Sequence, residues 1–555
     1  RPWPMAPTER LWEVVSGSAQ VTDGEGDGAA VLGSLRQRAL VRELAPPRGK
    51  RHLAGKRVHF AKVSGEGPAT GWVTTSLQEE DLLVRTYDVR PRDIGDAGDA
   101  LAAPAAAGER PYDVIIYGAS GFTGQLCAEH LDALLAARGS TLRWAVAGRK
   151  AAKLRPLGQR SKTGPKVFQV EGPEDLERLA GNCRVLLAAA GPYQLCGEEA
   201  VRACVRQGTH YVDVTGEVPW VREMARKYHE EARTKGVMVV HCAGQVCAID
   251  EVMCYLLARK LGPLKRFREY FCQVGAMTGG TLATSAASLA GLTHEGLAVN
   301  RDPFSLGGER QGGTRAEDRD CEQAEKDPVF PSLWLHPAYS TATGSRIIRR
   351  TCQLFESSSG DTLRYGKDFS VTIREPAMNQ KVAESKAKET AQPASPEVAA
   401  QIAAQLRAQA AGGQAPQPGQ GPPAEVREMY YSDAWGVAEG EDGRWAHVHY
   451  VGPEAYEVTA MCSVTAALSL AEEADRLRPA ARGGVLTPAF ALHGSTFVER
   501  LEAAAFANGG GRKMRFEVLE GKPTEEALKK TMADKTKNAV TAQAAVQSRG
   551  LRAFA

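Results

Sequence analysis

Residues 118–124 read Gly-Ala-Ser-Gly-Phe-Thr-Gly and follow directly on the apolar, β-rich run Val114–Tyr117. Such a run makes a buried parallel strand. Gln125–Ala137, with Leu126, Leu131, Leu134 and Leu135, reads as the helix behind it. Strand, glycine turn and helix start together suit an anion, because the first turn of a helix offers unpaired N–H groups and the positive end of its dipole. Gly118 would allow the tight turn, Gly121 the approach of backbone to a pyrophosphate, and Gly124 the close packing of helix on strand. Ser120 and Thr123 add hydroxyl donors, and Ala119 and Phe122 complete the turn. In this context the motif predicts dinucleotide binding, against an ordinary strand-to-helix turn.

The second apolar run, Leu142–Ala147, stops at Gly148-Arg149-Lys150. An NAD site places a carboxylate here for the ribose 2′-hydroxyl; Arg149 instead offers a donor fork suited to a 2′-phosphate, with Lys150 beside it. The expectation is NADP over NAD, against a solvated basic turn. Lys166–Val170 is the third strand, Pro173–Ala180 a helix opened by Glu174 and Asp175, and Val185–Ala190 a wholly apolar fourth strand. That strand ends in Ala190-Gly191-Pro192-Tyr193, at the carboxyl edge where such sheets bind ligands. Cys196–Gln207 makes the next helix, and His210–Val214 and Val237–His241 the fifth and sixth strands. The rhythm implies an α/β fold with a right-handed, doubly wound parallel sheet, the Rossmann architecture.

A reductase on this sheet needs a proton donor near the nicotinamide. Tyr193, Glu217 and His241 are the candidates, each with a structural alternative: a stacking ring, a helix cap and a satisfied core histidine.

A family resemblance is carried by ordered motifs. They are Gly-Ala-Ser-Gly-Phe-Thr-Gly at 118–124, Ala-Gly-Arg at 147–149, Ala-Ala-Gly-Pro-Tyr at 189–193 and Gly-Thr-His-Tyr-Val-Asp-Val-Thr-Gly-Glu at 208–217. Gly279-Gly280-Thr281 with Ser285, Asp302-Pro303-Phe304 with Leu306-Gly307-Gly308, Arg346–Arg350, Gly452-Pro453-Glu454-Ala455-Tyr456 and Gly483–Pro488 follow in order. Over roughly residues 110–520 the chain resembles the saccharopine dehydrogenase-like oxidoreductases, which include the trans-acting enoyl reductases of glycolipid synthesis. The resemblance implies NADP-dependent reduction of a C=C or C=N bond in a small acyl or imine substrate, in lipid or glycolipid metabolism, by an intracellular homodimer, cytoplasmic or organellar or at a membrane or lipid-droplet surface. The alternative is a catalytically inactive Rossmann protein acting as a binding or adaptor module. Two departures bear on this. Gly244-Gln245-Val246-Cys247-Ala248-Ile249-Asp250-Glu251 replaces the family's Gly-Phe-Asp-Ser-x-Pro-Ser-Asp, near where substrate should meet nicotinamide. Residues 377–424 are rich in Ala, Gln, Lys, Pro and Gly where relatives carry an apolar stretch, so lipid attachment through this element is not expected.

The rest of the chain divides around this unit. Within residues 1–94, Trp12–Val15, Ala30–Leu35, Ala39–Leu44, Val58–Val63, Gly71–Thr75 and Leu82–Arg85 suggest a small all-β, barrel-like module. Gly71-Trp72-Val73 resembles the close of a Src-homology-3-like domain; a binding role and a structural appendage both stay open. Residues 95–110 form a linker, 111–246 the Rossmann domain, and 247–482 an α+β substrate and dimerisation domain with the insert 377–424. Residues 483–520 return a helix and a strand to the core, and 521–555 form an exposed basic helix. In the second domain Glu251–Leu261 should be a helix with Val252, Tyr255, Leu256 and Leu257 buried. Phe267–Gln273, Thr362–Arg364, Phe369–Ile373, Tyr430–Val437 and Trp445–Val451 should be antiparallel strands. Gly279-Gly280-Thr281 opens a helix over Leu282–Leu292, which either holds a substrate carboxylate or caps itself through Thr281. Arg349 and Arg350 either receive phosphates or are exposed helix charges. Gly308–Pro328 should be a mobile loop, and Val398, Ile402 and Leu406 the docking stripe of a helix begun at Ser395-Pro396-Glu397.

The formal charge of +3 makes no electrostatic case for nucleic acid. The 11 cysteines are scattered without paired spacing, which points to buried thiols and no metal. No run is apolar enough to span a membrane. The chain starts at Arg1 without a recognisable signal peptide, so targeting is left open.

Overall fold

In the computed structural model the described residues are the strands of the first 97 residues, residues 99, 101–105 and 109–310, and the stretches 313–477, 483–506 and 512–548. They form two compact units, Arg1–Ala97 and Gly98–Ala555. The first is a sheet of β1 (Leu11–Val14), β2 (Ser18–Thr22), β3 (Val31–Arg36), β4 (Leu40–Glu43), β5 (Arg57–Ser64), β6 (Thr70–Thr74) and β9 (Leu83–Thr86). Its order is β3-β2-β6-β5-β4-β1-β9, every pair antiparallel, while β7 (Ser76–Leu77) and β8 (Glu80–Asp81) pair apart. The sequence reading missed β2, whose Ser-Ala-Gln-Val-Thr carries a single large apolar side chain, the buried Val21. The Gly-Pro pair before Gly71 and half of the expected linker lie outside the described residues. Asp99 and Ala105 are held on the second unit, through Asp99 N to Val167 O and Ala105 N to Gly181 O.

The second unit opens with the parallel sheet. Its strands are β10 (Tyr112–Tyr117), β11 (Trp144–Gly148), β12 (Lys166–Gln169), β13 (Cys183–Ala188), β14 (His210–Asp213), β15 (Met238–Val240) and β22 (Gly484–Leu486), ordered β12-β11-β10-β13-β14-β15-β22. All six neighbouring pairs are parallel. The order reverses between β10 and β13, which opens a crevice at their carboxyl ends, where dinucleotides bind in this topology. β11 is buried along its whole length, as a strand covered by helices on both faces must be. Helix α1 (Phe122–Arg138) lies on one face and ends in the left-handed Gly139.

A mixed second sheet stands beside it: β17 (Glu325–Lys326), β18 (Trp334–Pro337), β19 (Ser370–Ala377), β16 (Leu264–Val274), β20 (Tyr431–Gly440), β21 (Trp445–Gly452) and β23 (Arg515–Glu520), in that order. Helix Ala455–Glu472 runs back from it and packs on α1 and β13, so both sheets share one core.

Several expectations change here. β19 runs parallel to β16, so the sheet is not purely antiparallel, and Thr362–Arg364 is no strand. The helix expected at Glu251–Leu261 begins at Gln245 and is buried almost all round, with Leu256 only partly covered. Where it is described, the stretch expected to be a mobile loop is pinned: Arg310 pairs with the fully buried Asp318 at 2.6 Å, and Arg346 with Asp320 at 2.6 Å. Arg349 is neither exposed nor free for phosphate, because its guanidinium donates to Pro303 O, Asp318 O and Val371 O. Arg350 is held too, by Gln353 and Val485 O. Helix Pro396–Ala411 docks on helix Gly279–Ala290, with Ala399 and Ala403 buried, Ile402 and Leu406 partly covered, and Val398 exposed. The tail helix Glu525–Ser548 buries Leu528, Met532, Ala542 and Val546, and Trp435 Nε1 donates to Thr531 at 3.1 Å, so it is a covered element of the fold.

Helix Gln245–Leu261 carries two carboxyls into the interior. Glu251 accepts from Ala489 N at 2.9 Å and from Thr351, and burial pushes its pKa up to about 8. Asp250 faces Glu269 of β16; burial, then mutual repulsion, raises Asp250, and burial raises Glu269. These folded-state acids hold protons that the unfolded chain releases near pH ~4.3. Their stabilisation is therefore complete below the unfolded value and is lost as pH rises toward about 8 for Glu251. Urea midpoints of the native protein should fall between pH 5 and pH 8, and Glu251→Gln should flatten part of that fall. An unchanged slope in the variant would show that Glu251 ionises normally in the fold.

Candidate active site

The glycine turn joins β10 to α1 and sits between the ends of β11 and β13. Gly118 N donates to Ala147 O at 2.8 Å, and Ala189 N donates to Tyr117 O at 2.8 Å. Gly118 has φ +84°, and a Cβ there would lie 2.7 Å from Ala190 N. A Cβ on Gly124 would collide with the Gly118 carbonyl, so this glycine is what lets α1 press against the turn. Gly121 differs. A Cβ there would meet only Gly118 O, at 3.3 Å, and the residue caps α1 without any side-chain acceptor. The first-turn amides of Phe122, Thr123 and Gly124 therefore have no capping side chain at the helix start. Ala119 is buried beneath, while Ser120, Phe122 and Thr123 are partly exposed around it.

β11 ends close by, with Ser120 Oγ 3.6 Å from where a Gly148 Cβ would stand. Arg149 and Lys150 follow and are exposed. Burial raises the Tyr117 phenol and the Cys196 thiol, and the neighbouring Arg149 charge works against both shifts. Arg149 is thus at the rim between the ends of β10 and β13. No carboxylate occupies that position.

Across the crevice, Ala190, Gly191 and Pro192 lead from β13 into the short helix Tyr193–Cys196. Glu217 secures this turn by accepting from Tyr193 N at 2.8 Å and Gln194 N at 2.9 Å; burial raises its pKa and these two bonds oppose the rise. Tyr193 turns inward, its hydroxyl donating to Ala188 O at 2.9 Å and its ring packing on Trp220 at 5.4 Å. His241 is deeper still, with Nδ1 2.7 Å from Asp213 Oδ2 and the Trp220 ring at 4.8 Å. The structure thus gathers Tyr193, Glu217 and His241 beneath the nucleotide crevice, around Trp220 and Asp213.

The second domain roofs the crevice. Thr284 Oγ1 of helix Gly279–Ala290 is 3.5 Å from a Cβ placed on Gly191. That helix is capped by Thr278, whose side chain accepts from Thr281 N, and not by Thr281 itself. Tyr456, in the first turn of Ala455–Glu472, packs edge-on against Phe122 at 5.7 Å, and Arg427 lies over the same Phe122 ring at 5.8 Å. Thr278, Thr284 and Tyr456 had no role in the sequence reading and Thr281 only that of a helix cap, although Gly279-Gly280-Thr281 and Gly452–Tyr456 stood among its motifs.

These residues fit a dinucleotide: a left-handed glycine, a cradle that a Gly121 side chain would fill, and a helix start without its own cap. Residues 114–240 match the saccharopine dehydrogenase NADP binding domain. Over that stretch the chain is similar to the saccharopine dehydrogenase-like oxidoreductases. It is 28% identical over 436 residues to a trans-acting enoyl reductase of Mycobacterium tuberculosis, covering 73% of this chain and 99% of the relative. A second M. tuberculosis protein, a putative trans-acting enoyl reductase, is 29% identical over 417 residues, covering 71% of this chain and 96% of the relative. Among solved structures, apo saccharopine dehydrogenase (L-Glu forming) from Saccharomyces cerevisiae aligns over 74% of this chain and 100% of its own, at TM-score 0.40 and 14% identity. No helix among the described residues is long and apolar enough to cross a membrane.

Gly121→Val should leave the fold intact, because a Cβ there meets only the Gly118 carbonyl, at 3.3 Å, yet fill the phosphate cradle. Thermal melting should be within a few degrees of wild type while calorimetric titration detects no dinucleotide binding. Retained affinity would show that the loop is only a turn.

Proposed function

We propose that the chain uses NADPH to reduce a C=C or C=N bond in a small acyl or imine substrate, with the C=C arm favoured by the enoyl reductase relatives and with lipid or glycolipid metabolism as its setting. The observation that carries the cofactor choice is the exposed Arg149 at the end of β11, where a ribose-binding carboxylate would mark an NAD site. In this reading Gly118, Ala119, Ser120, Gly121, Phe122, Thr123 and Gly124 cradle the pyrophosphate, Arg149 and Lys150 take the 2′-phosphate, and Ala190, Gly191 and Pro192 line the nicotinamide end. When bound, the dinucleotide supplies a hydride. The roof helix Gly279–Ala290 then excludes water above Gly191, which strengthens every electrostatic interaction beneath it. Tyr193, Glu217 and His241 fall to positioning roles in this scheme. Glu217 fixes the Gly191–Gln194 backbone, Tyr193 anchors it to the sheet, and the Asp213–His241 pair braces Trp220 under the ring.

One charge-assisted phosphate contact contributes about 1.5–3 kcal/mol. Arg149→Ala should therefore weaken NADPH roughly tenfold or more and leave NADH nearly unchanged. Equal losses for both cofactors in titrations would overturn the assignment. Oxidation of NADPH by wild type is to be followed with trans-2-enoyl coenzyme A thioesters and with cyclic imines. Tight binding without turnover on either panel would favour the adaptor reading.

A further inference from the structure

We propose that Tyr456 is a catalytic residue of this site, its hydroxyl delivering the proton that completes the reduction while the start of helix Gly279–Ala290 holds the phenolate left behind. The inference rests on the reductase reading above. Three observations place Tyr456 for this task. Its ring meets Phe122 of the glycine turn at 5.7 Å, so it stands at the cofactor side of the crevice. Its hydroxyl joins the roof helix whose Thr284, one turn on from Thr281, reaches Gly191. It is also only half-buried, unlike Tyr193, whose hydroxyl is committed to Ala188 O.

The hydrogen bonds suit a group that gives up a proton. Thr278 N donates to Tyr456 Oη at 2.9 Å, and Thr281 Oγ1 lies 2.6 Å from the same oxygen. Thr281 Oγ1 is also 3.1 Å from Thr278 Oγ1. Two arrangements of the hydroxyl protons are open. Either Thr281 already donates to Tyr456, whose own proton then points elsewhere, or Tyr456 donates to Thr281, which passes its proton on to Thr278. Both lead to the same product state, because a phenolate at Oη is met by two donors, the Thr278 amide and the Thr281 hydroxyl. It also sits at the positive end of a 12-residue helix. Before reaction, burial raises the phenol pKa and these donors oppose the rise, so the uncharged phenol keeps its proton at neutral pH.

The step balances for an α,β-unsaturated thioester. The hydride and its electron pair form a new C–H bond at the β-carbon, and the C=C π pair shifts toward the carbonyl oxygen to give an enolate. The Tyr456 O–H bond then breaks, its proton forms the second C–H bond at the α-carbon, and the carbonyl is restored. Water reprotonates the phenolate. One NADPH and one proton are consumed for each C=C converted to CH–CH.

The test compares wild type, Tyr456→Phe, Thr281→Val and Thr281→Ser. Phenylalanine keeps the ring contact with Phe122, and thermal melting verifies folding. With NADPH and trans-2-octenoyl coenzyme A, Tyr456→Phe should lose 100-fold or more in kcat, within the range for a lost general acid, while its NADPH Kd changes less than threefold. Thr281→Val should lose about tenfold and Thr281→Ser should restore the rate. A second readout needs no turnover. The oxidised nicotinamide is cationic and the reduced ring neutral, so a phenol beside it ionises more readily with NADP+ bound. The affinity ratio of NADP+ to NADPH should therefore rise between pH 8 and pH 10.5 in wild type and rise less in Tyr456→Phe. Glu454, which accepts from Tyr456 N, the neighbouring Tyr339 and the ion-paired Arg427 face the same region and are common to both proteins. Turnover in wild type with an unaltered kcat in Tyr456→Phe would overturn the proposal and spare the reductase reading. NADPH binding with no turnover on the enoyl and imine panels would overturn the reductase reading, and the proton-delivery step with it. Identical pH dependence of the ratio in the two proteins would remove Tyr456 from the nicotinamide.

Discussion

The structure of the crevice depends on how closely three backbone segments approach one another at the end of β10. Gly118 lies against Ala189 and Ala190, and Gly124 lies against Gly118 and Ala119, at separations that admit no side chain. Because those two glycines take up the contact, α1 starts at the floor of the crevice and Gly121 is left facing out of it. Two constraints on packing thus generate a third position whose missing Cβ leaves room for a ligand. The same approach leaves the exposed Arg149 near Tyr117 and Cys196, whose thiol bonds the Ala190–Pro192 turn.

That opening is completed by the second domain, and the completion is structural before it is chemical. Helix Ala455–Glu472 is buried along nearly its whole length between α1, β13 and helix Gln245–Leu261, so the roof is fixed to the Rossmann core by a shared interior. Its first turn delivers Tyr456 to Phe122, and Glu454 caps that turn by accepting from the amides of Tyr456 and Glu457. Thr343 Oγ1 donates to Gly216 O at 3.3 Å, a second tie between the domains beside Glu217.

The legible parts of the sequence were those whose signal is local. The parallel strands are short apolar runs ended by glycine, and β10, β11 and β13 were read within about two residues. What escaped was set by tertiary surroundings. Helix Ala455–Glu472 and the start of Gln245–Leu261 are covered on all sides, so their apolar residues show no 3.6-residue stripe to find. In Pro396–Ala411 the large residues at four-residue spacing suggested a docking face. The fully buried residues of that helix are the smaller Ala399 and Ala403, with Ile402 and Leu406 partly covered and Val398 exposed. The charged run Gly308–Pro328 looked mobile from composition alone, yet Arg310, Arg346 and Arg349 each find a carboxylate or carbonyl there that only the fold brings near.

The departure at Gly244–Glu251 gains a physical account on the same terms. Gly244 caps a helix that begins immediately at Gln245, and a Cβ on it would press Val214 and Thr459 at 3.3–3.4 Å. Without a proline or a capping aspartate, this segment continues as helix into the shared core. Cys247, Asp250 and Glu251 become interior groups, and none of them reaches the crevice as a free acid. In the proposed reduction the proton is left to another element, and Tyr456, carried by the neighbouring buried helix, touches both the glycine turn and the roof helix. Residues lost from one hinge and the hydroxyl presented by the other are thus two consequences of how these helices fill the same interior.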